Sequence, residues 1–185
     1  MPYLGWHGLV FLALCLCRSS RLDEAERALE EARTLLAAVA GGEWTLLDYL
    51  PAVEAELACI RQDYARAVAA ADLAIERADA FGSLFPATMA WRVKAISSVR
   101  SGADPAHAQE MFDKGMQLCD AGGARAERAF STLVWAQALS AAGHAARAAD
   151  AVAGAKAQAL RYGFDLRRCE WGAAALLEAD APVRA

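Results

Sequence analysis

Three kinds of residue in this chain could do chemistry: five cysteines, three histidines and a run of carboxylates. The cysteines lie at 15, 17, 59, 119 and 169. Cys15 and Cys17 are two residues apart, and on a helix such neighbours point in different directions, which makes a poor metal pair. An odd number at irregular spacing, in a chain that is not short and loop-rich, argues against a secreted disulfide framework. These residues read instead as small buried apolar side chains in a reducing cytoplasm. His7, His107 and His144 are far apart, and none has a carboxylate–histidine constellation near it. Glu24, Glu26, Glu30 and Glu31 are interleaved with Arg21, Arg27 and Arg33. At helical spacing that pattern reads as a solvated, self-paired face, with an acidic docking patch as the functional alternative. The chain contains no GxxxxGK[ST] phosphate loop, no HExxH, no GxSxG and no CxxC. The expectation is a protein that is not an enzyme and needs neither cofactor nor metal.

The elements that would position any site come next. With 185 residues the chain suffices for one compact domain or one short repeat array. A net charge of −4 argues against direct nucleic-acid binding, which needs many cations to displace counterions, and against adhesion to an anionic membrane. Lysine occurs only at 94, 114 and 156, against many arginines, as expected from a GC-rich genome. The apolar opening, Pro2 to Cys17, is shorter than the roughly 20 residues of a spanning helix. It has no Lys or Arg before Arg18 and no small-residue cleavage site, so it does not read as a targeting segment.

The pattern of that opening recurs. Segments beginning at Arg18, Ile60, Ser101 and Ala141 share a turn followed by an alanine-spaced helix. Their marker alanines, Ala25, Ala67, Ala108 and Ala148, are 42, 41 and 40 residues apart. Four residues further stand Leu29, Ala71, Phe112 and Val152, and three further still Ala32, Ala74, Gly115 and Ala155. This i, i+4, i+7 spacing puts all three positions on one helical face. The outer two are always small, which lets helix axes approach toward the low end of the usual roughly 8–10 Å. Each marked helix (helix B) follows a more apolar one (helix A), at about 3–17, 44–61, 86–100 and 125–142. Asp63 and Asp104-Pro105 are N-terminal caps. Gly41-Gly42, Gly82, Gly122-Gly123 and Gly163 close the B helices. Pro51 either delays or kinks the second A helix. The units therefore span about 3–40, 44–81, 86–121 and 125–162, followed by one more helix at 164–179. No strand pattern appears.

This pattern resembles the tetratricopeptide repeat, whose second helix carries alanine, a larger apolar residue and alanine at the same spacing. RLDEA at Arg21–Ala25, QDYARA at Gln62–Ala67 and AGHAARA at Ala142–Ala148 are similar to its turn signature. The usual period is 34 residues. The longer period here looks more like the arms of MalT-like, LuxR-type bacterial transcription regulators and related signalling ATPases. Departures are the absent repeat-terminal proline, the alanine or isoleucine in place of an early glycine in helix A, and Ala71 in place of a larger residue.

The resemblance implies an all-α, right-handed α-solenoid of about four antiparallel helix hairpins with a C-terminal capping helix. It implies a scaffold whose A helices line a concave groove for a protein or peptide partner, or the effector-sensing arm of a transcription regulator. By phase with that family, the groove positions that would contact a partner are Arg18, Tyr49, Glu56, Lys94, Arg100, Phe130 and Gln137. An apolar floor with a few polar groups suits an amphipathic helix, an extended peptide or a small organic effector. Val10, Phe11 and Leu14 make the first helix greasier than a terminal repeat should be. The expectation is association through residues 3–17, as a homodimer or with further repeats upstream.

Overall fold

The computed structural model describes residues 3–38 and 47–163. The helix expected at 164–179, Gly41-Gly42 and Cys169 lie outside the described residues. Eight helices follow in order: α1 Tyr3–Arg18, α2 Leu22–Ala38, α3 Tyr49–Ile60, α4 Tyr64–Phe81, α5 Leu84–Arg100, α6 Pro105–Ala121, α7 Arg125–Ala141 and α8 Ala145–Tyr162. Among the described residues there is no strand, and no helix long and apolar enough to cross a membrane. Four antiparallel hairpins result, α1/α2, α3/α4, α5/α6 and α7/α8, and the odd-numbered A helices also pack on one another in sequence.

The marker stripe is what seals each hairpin. Ala25, Ala67 and Ala108 are fully buried and Ala148 nearly so. Leu29, Ala71, Phe112 and Val152 are buried beside them, as are Ala32, Ala74 and Ala155. The fourth small position, Gly115, shows why size matters: a Cβ there would stand 3.3 Å from both the Thr88 carbonyl and Trp91 Cβ. The B helices bury little beyond this stripe. The A helices α3, α5 and α7 are buried nearly all round, α5 with eleven buried residues and α7 with ten, whereas α1 keeps one face exposed. Larger side chains join neighbouring units: Phe112 of α6 stacks on Trp135 of α7, with ring centroids 5.2 Å apart. The indole Nε1 of Trp135 donates to Gln109 at 3.1 Å.

Punctuation follows the sequence closely. Asp63 accepts from the Arg66 amide and Asp104 from the Ala106 amide. Gly82 and Gly163 are left-handed, at φ 69° and 72°. Pro51 does not kink α3; the helix begins only two residues before it, where the missing N–H of a proline is harmless. Pro86 occupies the same third position in α5.

Candidate functional site

Seven positions were expected on one groove. The structure divides them among four places. Arg18, Glu56 and Phe130 come together in a buried ionic cluster. Arg100 and Gln137 line a cleft toward the C-terminal ends of α3, α5 and α7. Tyr49 belongs to an aromatic row, between Phe11 of α1 at 5.2 Å and Phe85 of α5 at 6.1 Å. Lys94 stands apart: its ammonium pairs with Asp72 of α4 at 2.5 Å and lies 5.1 Å from the Trp91 ring centroid.

The ionic cluster takes one residue from each A helix: Arg18 from α1, Glu56 from α3, Arg92 from α5 and Glu127 from α7. Arg18 Nε donates to Glu56 at 3.2 Å, and its two Nη groups grip Glu127 as a fork, both at 3.0 Å. Arg92 donates to Glu56 at 2.6 Å, to Ser131 Oγ at 2.8 Å, and to Glu127. The Phe130 ring lies beneath both guanidiniums, 4.3 Å from Arg18 Cζ and 5.1 Å from Arg92 Cζ. Arg92 and Glu56 are completely buried. Burial opposes the charge on Arg18, but Glu56 and then Glu127 outweigh it and hold the pKa above its ordinary value. Burial likewise opposes ionisation of Glu127, but Arg92 and then Arg18 hold its pKa below the usual carboxylate value. Two cations against two anions make the cluster neutral, so it serves as an internal bond. Its direct Arg18–Glu127 link ties the first unit to the fourth.

Sequence reasoning missed Arg92 and Glu127. The four members are spaced 38, 36 and 35 residues apart, shorter than the repeat period. The cluster therefore runs obliquely, from the last residue of α1 to the first turn of α7. The aromatic row Phe11, Tyr49 and Phe85 keeps the same spacing, 38 and 36, seven residues before the cluster. Searching for this shortened interval between A helices would have found both. Burial of the cluster also alters the groove. Along the A helices Val10, Leu14, Ala52, Val53, Ala90, Val93, Ser97, Leu133 and Val134 are all buried, so the apolar floor is largely closed.

Among the openings between the helices is a cavity of about 380 Å³ at the C-terminal ends of α3, α5 and α7. Its apolar wall includes Ile60, Ile96, Val134 and Ala138. Its polar groups are Ser20, Gln62, Tyr64, Arg100 and Gln137. None of these five side chains hydrogen-bonds or ion-pairs with another described residue. Among the described residues no carboxylate lines the cavity. Ser20 and Gln62 were not foreseen in this role. They are the only non-glycine residues with positive φ among those described, at 57° and 62°. The equivalent turn positions in units three and four are Gly102 and Gly143, so the alignment held the signal. A left-handed side-chain-bearing residue costs roughly 1 kcal/mol or more and is concentrated at functional sites.

The remaining candidates resolve into ordinary surface and core. In the acidic run, Glu24 pairs with Arg21, Glu26 with Arg61 and Glu30 with Arg33. Arg61 comes from the next unit, so part of the run is an inter-unit tie. Cys17, Cys59 and Cys119 are buried free thiols, and Cys15 is exposed. Desolvation pushes the pKa of Cys17 up to about 12 and those of Cys59 and Cys119 to about 11. Such groups stay protonated and inert near neutrality. In α1, Trp6, Val10, Leu14 and Leu16 are buried, while Phe11 and Leu12 are 41% and 49% exposed. No protein-family model, curated protein or solved structure matches this chain.

Proposed function

We propose that the protein is a non-catalytic helical-repeat scaffold that binds a partner at the inner edge of its A helices. The observation that carries this reading is the cleft at the ends of α3, α5 and α7, where apolar walls stand beside five polar side chains with no hydrogen-bond or ion-pair partner among the described residues. Tyr64, Arg100 and Gln137 are half-buried and Ser20 and Gln62 are exposed, so water satisfies these groups until a ligand takes its place. A set left free around an apolar cavity suits a ligand with both kinds of surface. A volume of about 380 Å³ lies at the lower end of the roughly 300–1,000 Å³ range of small-molecule sites. It suits a compact group or a short peptide segment better than a whole helix, because the remaining floor positions are already in the core.

A second reading, the sensing arm of a bacterial regulator, is favoured by one observation. The cluster joining Arg18 to Glu127 couples the first and last units through a set of discrete bonds. Such a clasp is the kind of element whose two states a ligand can bias.

Methyl-detected NMR on the full chain, with neutral, acidic and basic small apolar probes added in turn, tests the scaffold reading. Shifts concentrated on Ile60, Ile96 and Val134 are the expected result. Shifts scattered over the exposed apolar residues, or none at all, would overturn it.

A further inference from the structure

Resting on the scaffold reading, we infer that the cleft's occupant is a small organic monocarboxylate with an apolar body, its carboxylate held by Arg100. Arg100 is the last residue of α5 and the one charged residue among the described residues that line the cavity. It makes no ion pair with a described residue, whereas Arg92, two turns earlier on the same helix, is bonded to two glutamates. The nearest carboxylate in sequence to the cleft lining, Asp63, is occupied in capping α4. A guanidinium offers two parallel N–H donors, the geometry that a carboxylate accepts bidentately. Gln137 and Gln62 bring further amide donors, and Ser20 and Tyr64 bring hydroxyls, to the same space. Ile60, Ile96 and Val134 provide a wall for the apolar body.

One effect opposes an anion here. Three helix C-termini surround the cleft, and their dipoles favour cations. The next-to-last carbonyl of each is already engaged by a turn amide: Gln62 N to Cys59 O at 3.0 Å, Gly102 N to Val99 O at 3.2 Å, and Gly143 N to Ser140 O at 3.0 Å. What remains are partial charges at the ends of dipoles, set against the full charge on Arg100. The guanidinium therefore decides the sign. The two strained turn residues fit the same assignment, since a glycine at either place would remove a polar group from the cleft.

The test uses the full chain with two probes of equal shape, sodium octanoate and the neutral octanamide, titrated against the methyl signals of Ile60 and Ile96. Octanoate is expected to bind at least about tenfold more tightly, because charge-assisted bidentate bonds are the stronger kind. Arg100→Gln should erase that preference and Arg100→Lys keep part of it. Arg125→Gln, which alters a cation outside the cleft, should leave it unchanged. Urea melts of each variant establish that the fold is intact. Equal binding of both probes at the cleft would overturn the carboxylate assignment and leave the scaffold reading standing. A preference that survives in Arg100→Gln would also overturn it. Absence of shifts with either probe would overturn both.

Discussion

Arg92 and Arg100 stand two turns apart on α5, and the helix uses them in opposite ways. Arg92 is fully buried, ringed by Glu56, Glu127 and Ser131, and rests over Phe130. Arg100 is half-buried beside apolar walls and makes no ion pair with a described residue. A buried guanidinium must be matched by carboxylates, because an unpaired one is too costly to keep. Arg92 is so matched, and its charge is spent inside the fold. At the end of the helix water still reaches the side chain, so Arg100 can stand without an ion-pair partner among the described residues. Residue type alone does not separate structure from function here; the completeness of the partner set does.

The sharpest way to break this comparison is to remove the carboxylate that both cluster arginines share. Glu127→Ala strands part of two guanidiniums and should cost about 3–5 kcal/mol, read from urea denaturation. A cost below about 1 kcal/mol would reduce the cluster to an ordinary surface pair.

Next in size is the helix phase that sets both arginines in place. Ala67→Leu overpacks the α3/α4 crossing and should cost about 1–3 kcal/mol. Ala65→Leu, on the exposed side of the same helix, should be nearly neutral. Equal costs in thermal melts would contradict the packing described.

Acid should then act on the cluster before it acts on the cleft. Glu127 has its folded pKa held below the ordinary value of 4.5. Its contribution is therefore complete above about pH 4.5 and is lost as pH falls through the lower folded value. A stability profile between pH 6 and pH 2 should fall in that window for the natural protein and be flatter for Glu127→Gln.

The smallest expected effect lies in the cleft. Gln62→Gly relieves a left-handed residue and should gain up to about 1 kcal/mol while weakening probe binding. A loss of stability instead would show that Gln62 is held by the fold rather than kept for a ligand.

Much of the fold was legible in the sequence because it repeats. The alanine stripe, the aspartate caps and the closing glycines are local signals, and each recurs in phase. The site was only half legible. Arg100 and Gln137 fall on the repeat phase and could be placed. Arg92 and Glu127 could not, because stacked hairpins shift against one another and the cluster drifts along the A helices faster than the repeat does. Nor did composition reveal that the groove floor is closed: Ala52, Ala90 and Val93 read the same whether they face a partner or the next helix. Ser20 and Gln62 were hidden differently, since their left-handed backbone shows in the sequence only by alignment with Gly102 and Gly143 of the later units.

The most direct test is a side-by-side urea melt of Arg92→Gln and Arg100→Gln against the natural protein. The account predicts that Arg92→Gln loses several kcal/mol, about 3 or more, while Arg100→Gln stays within about 0.5 kcal/mol. Comparable losses in the two variants would mean that Arg100 also belongs to the internal framework, and the distinction between the two arginines would fall.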